Sequence, residues 1–127
     1  MIALDATFLV DYLDGIPATK EFLAARDEQP VFAPSLALFE VYRGAARAGS
    51  DEGLQRAVSA LEWLEPLPLT NGAATEAALI ESELLAAGEP VNLGDVLVAG
   101  ICRQHGARLV TRDEDFERVA DLSVERY

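Results

Sequence analysis

Short apolar runs that recur between helical patterns constrain this chain more than any other feature. "MIAL" (1–4), "PVFA" (30–33), "EPLPLT" (65–70), "ARLVT" (107–111) and "LSVERY" (122–127) each read as a brief strand. The segments between them carry apolar residues at three- and four-residue spacing. "ATFLVDYLDG" places Phe8, Leu9, Tyr12 and Leu13 on one helical face before Gly15, and "PATKEFLAARDEQ" reads as a second helix with Pro17 at its start. Ser35 is the expected N-cap of "LALFEVYRGAARA", which is apolar on most faces and so predicts a largely buried helix. "SDEGLQRAVSALEWL", "NGAATEAALIESELLAAG", "EPVNLGDVLVAGICRQHG" and the short "DEDFERVA" complete the series, and Trp63 reads as a core residue. Strands that alternate with helices at this density predict a parallel, doubly wound sheet with helices on both faces.

At 127 residues, half of them apolar, the chain suits one compact domain spanning 1–127. No apolar run reaches the roughly 20 residues of a membrane span, and Asp5 interrupts the first one, so a soluble, cytoplasmic protein with no membrane partner is expected. A single cysteine, Cys102, excludes an internal disulfide and any multi-cysteine metal site; its apolar surroundings point to an inert buried thiol. The net charge of −12 repels nucleic acid at long range unless cations intervene. Lys20 is the only lysine, a balance that also fits a high-salt cytoplasm. No Gly-rich phosphate loop and no internal repeat is present.

In an open parallel sheet, ligands bind beyond the carboxyl ends of the strands. Asp5 directly follows the first strand, Asp113 comes just after "RLVT", and Glu40 lies in the helix that leaves "PVFA". Asp95 stands in the first turn of the helix before "RLVT". Each of the three aspartates also suits a helix N-terminus, where a carboxylate is stabilised by the dipole without further purpose. Glu40, flanked by Leu36, Leu38, Phe39 and Val41, needs a cation if buried; Arg43 at i+3 and a divalent metal shared with the other acids are the two possibilities. Carboxylates that converge without His or Cys describe a hard oxygen site, suited to Mg²⁺ or Mn²⁺ and poor for Zn²⁺. Phosphodiester hydrolysis is the chemistry such a site supports.

"LDATFLVDYL" with Asp5, "ALFEVYRGA" with Glu40, "VNLGDVLVAG" with Asp95 and "LVTRDEDFERV" with Asp113, in that order and spacing, resemble the PIN-domain ribonucleases of the VapC type, toxins of type II toxin–antitoxin pairs. The resemblance covers essentially the whole chain. It implies a three-layer α/β/α fold around a parallel sheet of about five strands, and an Mg²⁺- or Mn²⁺-dependent endoribonuclease. By position, Asp5, Asp95 and Asp113 resemble the metal-binding acids, and Glu40 the fourth acid that binds or positions metal and water. Thr7 and Thr111 match the hydroxyl residues of the first and last motifs. Many relatives carry Asn at the position of Asp113, and Asp115 is the runner-up for that role. The resemblance further implies RNA as substrate, a homodimer, and a cognate antitoxin through which any contact with DNA is made.

Arg43 and Arg112 are the candidates for phosphate contacts, set against plain ion pairing with nearby carboxylates. His105, before Gly106, reads as charge complementarity at a helix C-terminus and not as a general base. No aromatic platform for stacked bases is apparent. The alternatives are a non-catalytic interaction module of the same fold and a nuclease of RNA processing without a toxin role. A haloacid-dehalogenase phosphatase is disfavoured because Ala6 and Thr7, not a second Asp at i+2, follow Asp5. A receiver domain is disfavoured because Lys20 is misplaced.

Overall fold

Residues 1–127 are all described by the structure, a computed structural model. Strand β1 (Ile2–Leu4) leads through α1 (Ala6–Leu13) and α2 (Pro17–Ala24) to β2 (Val31–Pro34). Helices α3 (Ser35–Arg47) and α4 (Asp51–Ala60) lead to β3 (Glu65–Leu67). Helices α5 (Asn71–Ala86) and α6 (Leu93–His105) precede β4 (Arg108–Val110), and a 3₁₀ helix (Glu114–Arg118) precedes β5 (Val124–Glu125).

The five strands form one parallel sheet in the order β3-β2-β1-β4-β5. β1 and β4 therefore lie side by side, while the chain leaves them in opposite directions, toward β2 and toward β5. With the right-handed crossovers of parallel strands, α1–α4 and α5–α6 cover opposite faces. The six helices thus flank the sheet, as the strand–helix alternation predicts.

Both faces of the central strands are apolar because both are covered. Ala3, Leu4, Leu109 and Val110 are fully buried, together with Phe8 and Leu9 of α1 and Val98, Ala99 and Ile101 of α6. Gly100 lets α6 approach α5: a Cβ there would stand 2.7 Å from the Ala73 carbonyl oxygen and 2.7 Å from the Ala77 Cβ. Cys102 is buried, as expected. The edge position of β3 suits Pro66, which has no N–H to give to a ladder.

The structure corrects five local expectations. Ser35 is the first residue of α3 and not its N-cap, a position held by Pro34 without a side-chain hydrogen bond. Helix α2 ends at Ala24 and α4 at Ala60, shorter than the apolar spacing suggests; beyond α4, Leu61 and Leu64 are buried in the core from outside the helix. Trp63 is not a core residue: it is 43% exposed, and its indole N–H donates at 2.9 Å to the Ala60 carbonyl at the end of α4. A helix-end acceptor at the surface satisfies the indole N–H, and the ring leans on Tyr12 at 5.5 Å between centroids. α3 is less buried than its composition implies, since only Ala37 and Val41 are fully covered and Phe39 is 54% exposed. The "DEDFERVA" segment forms a 3₁₀ helix that stops at Arg118.

Candidate functional site

The divergence of the chain between β1 and β4 opens a crevice at their carboxyl ends, the position where open α/β sheets take ligands. Asp5 stands at that point. Its N–H donates to the Val110 carbonyl at 3.0 Å, so the β1–β4 ladder extends up to the acid. Asp5 occupies the N-cap position of α1 but forms no capping hydrogen bond. Instead the Thr111 hydroxyl donates to Asp5 Oδ2 at 2.8 Å and the Thr7 hydroxyl to the same oxygen at 3.3 Å. The two hydroxyls are 3.3 Å apart, and Thr111 Oγ1 also accepts the Asp113 N–H at 3.0 Å. Both threonines thus orient acids. Burial raises the Asp5 carboxyl pKa, the hydrogen bonds from Thr111 and Thr7 oppose that rise, and the charge of Asp113 adds to it.

Asp113 caps the 3₁₀ helix, its Oδ1 accepting the Asp115 N–H at 2.9 Å. Capping does not remove it from the site. Oxygens of Asp95, Asp113 and Asp115 all lie within 4.8 Å of one another. Asp115 also faces Arg118 at 3.4 Å, an exposed i,i+3 contact. Asp95 is not the cap of α6; Asn92 is. Asn92 Oδ1 accepts the Asp95 N–H at 2.9 Å, while its Nδ2 donates to Asp95 Oδ2 at 2.8 Å. The sequence reading missed Asn92. The pattern Asn92-x-x-Asp95 is a capping-box spacing and was a signal that pointed to it.

Glu40 reaches the first turn of α6. A Cβ on Gly94 would stand 3.4 Å from Glu40 Oε1, a buried oxygen with no hydrogen-bond partner. Arg43 does not neutralise it: no ion pair joins the two, and the Arg43 guanidinium lies over the Phe39 ring, 5.2 Å from its centroid. Burial raises the Glu40 pKa, the charge of Asp5 adds to the rise, and Arg43 lowers it. Asp95 is pushed up to about 7, by burial first and then by Asp113, Asp5 and Glu40. Four acids around an orphaned carboxylate oxygen, their charges raising the pKa of Asp5, Glu40 and Asp95, form a cluster whose charge a cation would offset. With oxygen donors only, Mg²⁺ or Mn²⁺ fits the set.

Beside the acids, Thr7, Val10 and Asp11 of α1, Glu40 and Arg43 of α3, and Arg112 line a cleft of about 520 Å³. Arg112 is pinned: its guanidinium is 3.5 Å from Asp11 Oδ2 and 4.7 Å from the Tyr127 ring centroid. The Tyr127 hydroxyl donates to the same Asp11 oxygen at 2.6 Å. Arg112 is thus ion-paired in this structure, to an acid not singled out in the sequence. His105 ends α6 just before the left-handed Gly106 and lies outside the cleft, consistent with a helix-terminal role.

The PIN domain family model matches residues 2–122. The chain belongs to the PIN-domain family. Solved structures agree on the fold. VapBC2 from Rickettsia felis, bound to a DNA fragment from the promoter, superposes with a TM-score of 0.92 at 21% identity, covering 100% of this chain and 99% of that chain. DNA-bound VapBC from Salmonella typhimurium gives 0.83 at 25% identity, over 99% and 98% of the two chains. VapC20 from Mycobacterium tuberculosis, a sarcin–ricin loop cleaving toxin, gives 0.69 at 15% identity, over 97% and 99%. No curated protein sequence matches the chain. This PIN domain therefore carries its acids where β1, α3, α6 and β4 meet, drawn from four distant parts of the sequence. Asp11 and Tyr127, partners across 116 positions, carried no local signal that would have found them.

Proposed function

We propose that this PIN domain, acting as one unit over residues 1–127, is a divalent-metal-dependent endoribonuclease and the toxin of a toxin–antitoxin pair. The observation that carries the reading is Glu40 Oε1, buried and unpartnered beside a carboxylate group that Asp95, Asp113 and Asp5 complete. A purely structural surface gains no stability from a repelling acid cluster at the ligand-binding end of the sheet. Asp5, Asp95 and Asp113 are the residues that would hold Mg²⁺ or Mn²⁺, with Asp115 beside them. The ion supplies positive charge that neutralises the acids and polarises a phosphodiester. Thr111 and Thr7 fix the Asp5 carboxylate, and Asn92 fixes that of Asp95, so that the acids present a defined set of oxygens. Glu40 would orient a water molecule or share the ion.

RNA is the substrate under this reading. The solved VapBC relatives, some of them bound to DNA, support a cognate antitoxin as partner and the antitoxin as the part that meets DNA. A net charge of −12 favours a basic antitoxin segment through steering and complementarity. The family resemblance implies a homodimer as the functional unit.

Purified protein in Mg²⁺ or Mn²⁺ is expected to cleave single-stranded RNA, and chelator to stop it. Asp5→Asn and Asp95→Asn are expected to abolish cleavage while retaining the wild-type circular dichroism spectrum. Wild-type cleavage rates in both variants would sink the assignment of the site.

A further inference from the structure

Ten cationic side chains serve this strongly acidic chain. Six arginines, Arg112 among them, stand in ion pairs. Lys20, Arg43, Arg47 and Arg56 do not, and of these four only Arg43 lines the cleft beside the acids. Arg43 lies one turn beyond Glu40 on α3, so the two share a face: Glu40 turns to the first turn of α6, and Arg43 stands further along the cleft. Arg112 borders the same cleft from the β4 side, and its N–H donates to Thr7 Oγ1 at 3.3 Å, one hydroxyl removed from Asp5.

The two guanidinium groups share a mode of support. Arg43 lies over Phe39, and Arg112 over Tyr127 with Asp11 holding its edge. A guanidinium laid on an aromatic face is pre-oriented, loses less freedom on binding, and presents its planar fork to an oxyanion. An unpaired arginine on an exposed phenylalanine, in a chain short of cations, has no structural debt to settle. Its charge is available to a ligand. Phosphate, like carboxylate, matches the fork in two parallel hydrogen bonds, and beside a cluster already crowded with carboxylates it is the oxyanion a substrate strand would bring.

We propose that Arg43 and Arg112 hold a backbone phosphate of the substrate strand from the α3 and β4 sides of this cleft, next to the phosphodiester presented to the acids. The identity of the strand as RNA rests on the nuclease reading. Arg43 supplies an unpaired charge. Arg112 supplies a fork already fixed by Asp11 and Tyr127, so its exchange of partner is the smaller gain of the two. Neither arginine reacts; both are positioning residues for the strand.

The test is a titration of a labelled single-stranded RNA oligomer in Mg²⁺, followed by fluorescence anisotropy at several salt concentrations, with Asp95→Asn as the common background to prevent cleavage. Arg43→Ala is expected to weaken binding roughly tenfold and to make the dependence of log Kd on log salt shallower by about 0.7. Arg112→Ala is expected to change the slope in the same direction by less. Arg43→Lys is expected to keep the slope, and Arg56→Ala, an unpaired arginine on α4, to change neither quantity. Unchanged affinity and slope in Arg43→Ala overturn the proposal, as does lost affinity with an unchanged slope, the mark of a merely structural effect. Variants that bind RNA normally but release a co-expressed partner protein assign the arginines to a protein contact, and also overturn it. Cleavage by the chain with Asp95 intact is assayed in parallel. The expected slope changes without cleavage at any metal concentration would refute the nuclease reading and leave the phosphate clamp standing.

Discussion

Thr111 and Asp5 are joined by a buried 2.8 Å hydrogen bond that crosses 106 positions of sequence and ties the end of β4 to the end of β1. The same hydroxyl oxygen accepts the Asp113 N–H, so one side chain sets the positions of two acids. Thr111→Val keeps the shape and removes both hydrogen bonds. Metal affinity or cleavage is expected to fall 10- to 100-fold, roughly the effect of losing a partner that orients a ligand. A metal titration followed by cleavage rate checks it; an unchanged midpoint and rate would mean that the hydroxyl is a packing feature.

Burial and the charges of Asp113, Asp5 and Glu40 push the Asp95 carboxyl up to about 7 from its ordinary 3.8, so the folded state binds its proton more tightly than the unfolded chain. The stability this contributes is fully present below pH 3.8 and is lost as pH rises through about 7. Metal-free protein should therefore melt at progressively lower temperature across that window, with Mg²⁺ or Mn²⁺ restoring Tm at neutral pH. Asp95→Asn should raise the metal-free Tm at neutral pH and shrink the metal-induced rise. Thermal melts in chelator and in Mg²⁺ at a series of pH values decide the matter, and parallel curves for wild type and variant would contradict it.

Asp113 caps the 3₁₀ helix and also joins the acid cluster, and two substitutions separate these duties. Asn caps about as well as Asp, so Asp113→Asn should leave stability within a few tenths of a kcal/mol, roughly, while weakening metal binding. Asp113→Ala should lose the cap as well, about 1 kcal/mol. Equal metal affinity in wild type and Asp113→Asn would transfer the role to Asp115.

Gly100 is where α6 meets α5 at closest approach, with the Ala73 carbonyl oxygen 2.7 Å from the place a Cβ would take. That oxygen belongs to a helix backbone and cannot rotate away. Gly100→Ala should cost about 2 kcal/mol or more and lower Tm by several degrees. Because α6 carries Asp95, metal affinity should fall with it. A variant as stable as wild type would show that the helix pair can separate without strain.

Much of this arrangement is legible in the residues themselves. Asp5 and Asp113 sit one and three residues past short apolar runs, so local pattern alone puts them at strand ends. Glu40 is legible as a carboxylate in need of a cation, although the reason differs from the one the composition suggests. α3 is not deeply buried; the first turn of α6 covers Glu40 Oε1. Trp63 misleads because size and apolarity imply a core, whereas its N–H finds a partner at the end of α4. The Asp11–Tyr127–Arg112 cluster was not foreseeable, because contacts between such distant positions depend on the completed sheet and leave no periodicity behind.

The adjacency of β1 and β4 has a consequence for the time at which the acids first act together. β1 waits beside an empty place until β4 is made, since every residue from β2 to α6 must be synthesised before β4 can pair with it. Until then Asp5 lacks Thr111, and the cluster lacks Asp113. A nascent chain that has not yet reached residue 108 cannot assemble the acids. The acid cluster therefore closes only once β4 and the residues that follow it have been made, however early β1 was synthesised.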